Sequence, residues 1–234
     1  MEWLKWMLVT SIPLRQLDES DIPIGFASAC LIDYRERRFL LSVQHAVKMQ
    51  SKNWTVDLGY TPGKGTAFYR PNSFNYVAEL TQGESTMREV DFCYTEVPVD
   101  LSATYQHRTP RGIFDERPCH IFQTDLTDLP VNSQIYAFSG EVKPEQHGPQ
   151  AIATEKNVYP GLRYLHTDGE FHIFQLPVEH PGHEYFKGCS GAPIVDMNKK
   201  LVALVCSPGE SANTIRGVSL ARYKLAFDFI CEMQ

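Results

Sequence analysis

The chain has 234 residues, of which 43% are hydrophobic, 12% aromatic and 21% charged. This length suits one large all-β unit or two small domains, and the composition excludes a largely disordered chain. The formal net charge of −6 at pH 7 argues against nucleic acid as the main partner, because neutralising phosphates requires clustered Lys and Arg.

The first residues of the chain, MEWLKWMLVT, are partly apolar but lack the features of a secretion signal. Glu2 and Lys5 interrupt the run, and no small-residue cleavage site follows it. No other stretch approaches the roughly 18 apolar residues that a membrane span needs. We therefore expect residues 1–19 to pack on the body of a cytoplasmic protein that has no membrane partner.

Short apolar or alternating runs separated by Pro, Gly, Asn and Asp predict β-strands along most of the chain. These runs lie at 26–32, 39–43, 54–58, 90–97, 134–138, 171–178, 193–195 and 201–206. The basic cluster at 35–38 separates the first two runs and is typical of a solvated hairpin turn.

Only the C-terminus has helical spacing, with Leu220, Tyr223, Phe227 and Ile230 three or four residues apart. A polar, proline-containing stretch at 102–117 divides the chain into two similar halves. We therefore predict an all-β protein with an N-terminal segment (1–19), an N-terminal β-barrel (20–114) and a C-terminal β-barrel (115–234) that ends in the helix.

Cysteine and histidine residues give no indication of a disulfide framework or of a metal site. The cysteines, at 30, 93, 119, 189, 206 and 231, are scattered without a C-x-x-C pair, which is typical of reduced thiols in a cytosol. His180 and His183 are close in sequence, but the Pro-Gly between them breaks the helix that would align two ligands. We expect no metal and no cofactor.

The segment GCSGAP at 188–193 has the residue types that acyl transfer needs. A serine hydroxyl is a weak nucleophile that requires a neighbouring base and hydrogen-bond donors for the oxyanion. Gly188, two residues before Ser190, permits a tight turn that aims the Gly188 and Ser190 N–H groups at one point. The alternative is a turn with an incidental serine, and this segment alone does not decide between the two.

This segment resembles the Gly-Asp-Ser-Gly-Gly-Pro motif of chymotrypsin-like serine peptidases. Two further segments resemble the same family: LLSVQHAV at 40–47 is similar to its strand that ends at the general-base histidine, and VDFCY at 90–94 to its strand that carries the orienting aspartate. The resemblance implies a catalytic triad of His45, Asp91 and Ser190, in the chain order of that family.

The family resemblance extends from about residue 25 to the end of the chain. It implies two tandem six-stranded β-barrels followed by the C-terminal α-helix, with an oxyanion hole formed by Gly188 and Ser190. It also implies a substrate-pairing strand that contains Cys206 and Ser207. Gly209 and Gly217 match positions where small residues leave the substrate pocket open.

Glu184, six residues before the nucleophile, matches the base of the pocket for the side chain that precedes the scissile bond. A carboxylate there favours Lys or Arg substrates through charge-assisted hydrogen bonds. The alternative is that Glu184 is a solvated loop acid and that Tyr185 fills the pocket.

Two departures from the family pattern bear on activation. The chain lacks an Ile-Val-Gly-Gly start, its first strand being expected near residues 24–26, and Cys189 replaces the aspartate that pairs with a newly cleaved terminus in secreted relatives. Zymogen activation is therefore not expected, and the closer likeness is to intracellular, bacterial and viral members. Cys189 as the nucleophile is the rival hypothesis, although viral relatives place their cysteine where Ser190 stands.

These observations bear on three functions. A serine endopeptidase acting on protein or peptide substrates, with a regulatory protein as a further partner, fits the complete triad. A catalytically silent relative that binds peptides or partners would explain the departures at Cys189 and Ala192. An esterase of the α/β-hydrolase fold is excluded, because that fold needs G-x-S-x-G and places the serine first in the chain.

Overall fold

A computed structural model of the protein describes residues 2–48, 53–80, 86–109, 112–147, 151–179, 184–186, 188–208 and 213–233. The N-terminal strands are β1 (Ile12–Leu17), β2 (Pro23–Tyr34), β3 (Arg37–Ser42), β4 (Trp54–Thr61), β5 (Gly65–Tyr69), β6 (Asn75–Leu80), β7 (Met87–Val97), β8 (Thr104–Thr109), β9 (Gly112–Pro118) and β10 (Ile121–Gln123). The C-terminal strands are β11 (Tyr136–His147), β12 (Ala151–Asp168), β13 (Phe171–Gln175), β14 (Pro193–Asp196), β15 (Leu201–Pro208) and β16 (Thr214–Ser219). The α-helices are α1 (Glu2–Met7), α2 (Gln44–Lys48) and α3 (Lys224–Glu232).

The described strands form two large assemblies and one small ribbon. The N-terminal assembly is an eight-stranded sheet: seven strands follow the order β5-β4-β1-β2-β3-β7-β6, and the eighth, β10, pairs with β2. The C-terminal one is a closed barrel in the order β11-β12-β13-β16-β15-β14, and β8 and β9 form a separate ribbon. The predicted all-β fold with a terminal helix is confirmed, and the N-terminal sheet has eight strands where six were expected.

The first strand begins earlier than the sequence indicated. β1 pairs antiparallel with both β2 and β4, so residues 1–19 contribute a strand to the N-terminal sheet. Its pattern is hidden in the sequence because Arg15 and Gln16 interrupt the apolar residues, yet both are buried, at 5% and 7% exposed. The predicted division between residues 114 and 115 falls inside β9.

The short N-terminal helix lies against the C-terminal barrel. The Trp3 indole Nε1 donates a hydrogen bond to the main-chain oxygen of Asp196 in β14, at 3.0 Å. Met7 is fully buried in a hydrophobic cluster that also contains residues from both halves of the protein. In the described part of the chain, no helix is both long enough and apolar enough to cross a membrane.

One hydrophobic cluster joins the two halves of the protein. It contains Phe39 and Phe92 from the N-terminal sheet and Leu204 and Phe227 from the C-terminal half, all fully buried. Phe92 stacks on Tyr223 with ring centroids 4.8 Å apart. Apolar burial contributes about 25 cal/mol per Å², so this shared cluster stabilises the contact between the two halves. A site formed between the halves depends on that contact.

Substituting Phe227 by alanine tests the role of this cluster. Phe227 is fully buried, and its ring centroid lies 5.1 Å from that of Phe39. We expect Phe227→Ala to lower the free energy of unfolding by about 3–5 kcal/mol, measured by urea denaturation. The matched control is Phe229→Ala on the same helix, which is 60% exposed and should change stability by less than about 0.5 kcal/mol. Equal losses in both variants would contradict the assignment.

Candidate active site

Strand pairing brings His45 to Asp91. β3 and β7 pair antiparallel with Ser42 opposite Cys93, so Asp91 lies just beyond the end of β3. There the chain turns from β3 into α2, and the second residue of this helix is His45. Two segments 46 residues apart in sequence are thereby joined at one end of the N-terminal sheet.

The three side chains form a continuous hydrogen-bonded chain. His45 Nδ1 lies 2.7 Å from Asp91 Oδ2, and the main-chain N–H of His45 donates to Asp91 Oδ1 at 2.8 Å. His45 Nε2 lies 3.0 Å from Ser190 Oγ. Because both carboxylate oxygens bind the same residue, the imidazole has a fixed orientation with Nε2 towards the serine. This geometry suits general-base activation of a hydroxyl.

Asp91 is stabilised in its ionised form. Burial alone would raise the pKa of this carboxyl, but hydrogen bonds from His45 and from the Cys206 thiol, together with the charge of His45, outweigh it and hold the pKa below its usual value. The Cys206 thiol donates to Asp91 Oδ2 from the neighbouring strand β15. Stability from this ionised carboxylate is therefore present at neutral pH and is lost as the pH falls through its lowered pKa.

The turn before β14 carries Ser190. Gly188 and Gly191 have φ values of +101° and +89°, a region that residues with a side chain rarely adopt. The Gly191 amide donates to Val205 in β15 at 2.8 Å, which anchors the turn to the barrel. Among the described residues, no hydrogen bond donated by the Gly188 or Ser190 amide is found.

Ser28 in β2 holds this turn from the other half of the protein. Its hydroxyl donates to the Gly188 carbonyl oxygen at 2.7 Å, and its amide donates to the Ser190 carbonyl oxygen at 2.8 Å. The Ser42 hydroxyl in turn donates to the Ser28 carbonyl oxygen at 2.8 Å. Sequence reasoning missed Ser28, and the available signal was a polar residue within the apolar strand FASACLI.

Cys189 points away from the histidine. Its side chain is fully buried, and the thiol donates to the Glu141 carbonyl oxygen at 3.3 Å. Burial raises the pKa of this thiol well above its usual value, so the thiolate needed for attack is disfavoured. The geometry gives no support to Cys189 as the nucleophile.

The sequence-predicted substrate residues are described to different extents. The Cys206 carbonyl oxygen accepts a hydrogen bond from Ser190 Oγ at 3.4 Å, and the Ser207 backbone continues β15 opposite Arg216. Glu184 begins a short 3₁₀ turn, Glu184–Phe186, but its side chain lies outside the described part of the structure. Gly209 also lies outside the described residues.

Gly217 is located in the interior of the C-terminal barrel. A β-carbon there would lie 2.6 Å from Ile194 Cδ1 and 2.9 Å from Ala203 Cβ. The glycine is therefore required by packing inside the barrel. A role for Gly217 at the substrate pocket stays a prediction.

His45, Asp91 and Cys206 are also the one group among the described residues that could share a metal ion. Their ligand atoms lie within 4.8 Å of one another. An ion bound there would replace the hydrogen bond between His45 Nδ1 and Asp91 and leave the imidazole proton on Nε2, which could then not accept the Ser190 proton. Metal binding and general-base activation at this position are therefore mutually exclusive.

Gly191→Ala tests the packing of the turn. A β-carbon at Gly191 would lie 2.0 Å from the Ser28 carbonyl oxygen, whereas one at Gly63, with a φ of +78°, would meet nothing within 4 Å. Both alanine variants incur backbone strain of about 1–2 kcal/mol. We expect Gly191→Ala to lose about 3 kcal/mol or more of unfolding free energy in urea denaturation, because the clash adds to the strain. Similar losses in Gly191→Ala and Gly63→Ala would refute the close approach to Ser28.

Comparisons with known proteins place this geometry in a known fold. No family model and no curated protein matches the sequence. Among solved structures, a serine endoprotease from Yersinia pestis is 9% identical with a TM-score of 0.55 and covers 99% of this chain, which spans 66% of that protein. An M. tuberculosis protease in its active form is 14% identical with a TM-score of 0.51, covering 99% of this chain and 85% of that one.

A third similar structure is human heparin binding protein. It is 10% identical with a TM-score of 0.58, and the match covers 98% of this chain and 94% of that one. Identities of 9–14% show the fold alone. The protein therefore has the chymotrypsin-like fold, and its activity must be argued from its own residues.

Proposed function

We propose that this protein is a serine endopeptidase that hydrolyses peptide bonds through an acyl-enzyme on Ser190. The supporting observation is the chain of hydrogen bonds from Asp91 through His45 to Ser190, with separations of 2.7 and 3.0 Å. Two proteases share the fold, which is consistent with the same chemistry.

In the first half of the proposed reaction, Ser190 Oγ attacks the scissile carbonyl carbon while His45 Nε2 takes the hydroxyl proton. Asp91 stabilises the imidazolium, and the Gly188 and Ser190 amides stabilise the oxyanion. His45 then gives its proton to the leaving amine as the C–N bond breaks, which leaves the acyl group on Ser190. In the second half, a water molecule attacks the ester carbonyl carbon with His45 again as base. His45 then returns the proton to Ser190 Oγ as the ester C–O bond breaks, and the carboxylic acid product leaves.

The second candidate is a catalytically silent domain that binds peptides or a partner. Human heparin binding protein, whose name describes binding, has the same fold at a TM-score of 0.58, so the fold itself does not require proteolysis. The intact hydrogen bonds to Ser190 favour the peptidase.

A fluorophosphonate probe distinguishes the two candidates. We expect the wild type to be labelled and to cleave peptides, and Ser190→Ala to lose labelling and lower kcat by on the order of 10⁴-fold or more, because the nucleophile is removed. The matched control is Cys189→Ala, which changes the adjacent residue and should keep part of the labelling. Complete loss in Cys189→Ala would favour the thiol, and an unlabelled, inactive wild type would favour the binding domain.

We further propose that cleavage follows Lys or Arg. The support is the place of Glu184 in the 3₁₀ turn that leads towards Gly188 and Ser190, six residues before the serine. A carboxylate near the bound side chain would form charge-assisted hydrogen bonds with a guanidinium or ammonium group.

Glu184→Gln tests this preference. We expect kcat/KM for Lys and Arg peptides to fall on the order of tenfold, equivalent to about 1.4 kcal/mol, with little change for peptides that have a neutral residue at that position. Glu179→Gln, at an exposed position earlier in the same region, serves as the charge-matched control. Unchanged selectivity in Glu184→Gln, measured on a peptide library, would exclude Glu184 from the pocket.

A further inference from the structure

In addition to its hydrogen bond with Val205, the turn at residues 188–191, here called the oxyanion turn, contacts the carbonyl of Glu141 in β11. This oxygen accepts the Cys189 thiol hydrogen bond at 3.3 Å. It also lies 2.9 Å from the position that a β-carbon on Gly188 would occupy, so the glycine backbone lies directly against it. Any movement of Glu141 is therefore transmitted to Gly188 and Cys189.

Barrel pairing leaves one side of Glu141 free for the turn. On one edge, Glu141 pairs with Lys156 in β12. On the other edge, β11 pairs with β14 only through residues 136–138, so the contact at Glu141 is with the turn and not with a strand. The β11–β12 register then shifts between Val142 and Glu145. The strand ladder alone therefore constrains Glu141 less than it constrains the residues before it.

The Glu141 side chain is held by a cation from the other half of the protein. Arg15 in β1 forms an ion pair with it: Nη2 donates a hydrogen bond to Oε1 at 2.8 Å, and Nη1 lies 2.5 Å from Oε2 without hydrogen-bond geometry. Both side chains are about nine-tenths buried, at 6% and 10% exposed. Thr154 donates to Glu141 Oε1 at 3.0 Å, and Asp57 lies 3.7 Å from Arg15 Nη2.

The electrostatics of this pair hold both groups in their charged forms. Burial alone would raise the pKa of Glu141, but the Arg15 guanidinium outweighs it, so the pKa of this carboxyl lies below its usual value. A buried charge that loses its partner is strongly unfavourable, so the Arg15 and Glu141 side chains resist being separated. Arg15 also lies over the Phe26 ring, 5.4 Å from its centroid, and this further restricts the guanidinium.

We propose that Arg15 is a positioning residue for the oxyanion turn, acting through Glu141 on Gly188 and Cys189. This proposal rests on the proposed peptidase activity, because an oxyanion is stabilised only in that reaction. Arg15 belongs to the N-terminal sheet, in which β7 carries Asp91 and β3 leads into the helix of His45. Glu141 belongs to the barrel, and Ser190 lies in the turn before its strand β14. The ion pair thereby fixes the oxyanion donors of one half relative to the base of the other.

Kinetics of Arg15→Met measure the positioning effect. The variant keeps the apolar length of the side chain and removes the charge. We expect kcat for a cleaved peptide to fall about tenfold or more while KM changes by less than about twofold, because the oxyanion contact is made mainly in the transition state. Arg15→Lys, which keeps the charge without the planar fork, should recover part of the loss.

Arg38→Met is the matched control. Arg38 forms a two-pronged pair with Asp33 in the N-terminal sheet, at 2.7 and 3.0 Å, at the hairpin end of β2 and β3. Its loss should lower stability without lowering kcat. The double variant Arg15→Met/Glu141→Met removes both members of the pair and leaves Asp57 and Lys156, which are opposite in charge and interact with each other. It is expected to fold, since replacing both members of a buried pair is often tolerated. A folded double variant with wild-type kcat would overturn the proposal.

Amide hydrogen exchange provides a measurement that does not depend on activity. In Arg15→Met, exchange of the Cys189 and Gly191 amides, which donate to Phe186 and Val205, should accelerate about tenfold or more, and it should not do so in Arg38→Met. If the wild type is inactive towards fluorophosphonate but this acceleration occurs, the peptidase proposal fails while the contact between Arg15 and the turn stands. Unchanged exchange and unchanged kcat in Arg15→Met would show that the ion pair has no positioning role.

Discussion

The hydrogen bonds between Ser28 and the turn at 188–190 are the constraint on which the site depends. The histidine and aspartate come from the N-terminal sheet and the serine from the C-terminal barrel, so general-base geometry exists only while the two halves keep their relation. Ser28 donates through its hydroxyl to Gly188 and through its amide to Ser190, at 2.7 and 2.8 Å. Catalytic side chains must be held within about 0.5 Å of their productive positions, which explains why direct hydrogen bonds supplement the apolar contacts between the halves.

Polar side chains are buried along the junction between the two halves, although apolar side chains would be buried there at a lower cost in free energy. Ser28 and Ser42 are 1% and 0% exposed, and Arg15 is 5% exposed. Buried polar groups cost free energy unless they are satisfied. The Ser28 and Ser42 hydroxyls each donate a hydrogen bond, and Arg15 Nη2 donates to Glu141 across the junction. Apolar packing is tolerant of small displacements, whereas hydrogen bonds are directional. The polar contacts at the junction therefore align the two halves, and the shared hydrophobic cluster holds them together.

Cys189 illustrates how the same turn is held without an acidic side chain at that position. A carboxylate there would need a buried cation as its partner. Here the Cys189 thiol is a weak donor to the Glu141 carbonyl oxygen. The buried negative charge belongs to the Glu141 side chain, and Arg15 neutralises it. The turn is thus supported by a main-chain carbonyl whose own position is fixed electrostatically.

Local residue patterns in the sequence indicated the all-β class and the terminal helix. His45, Asp91 and Ser190 were found as a candidate triad because the segments around them resemble those of a known family, and the structure brings their side chains together. Tertiary structure alone identified Ser28, Arg15 and Glu141, whose partners lie 160 and 126 residues away. It also revealed β1, because local patterning assigns Arg15 and Gln16 to solvent, whereas distant contacts bury them.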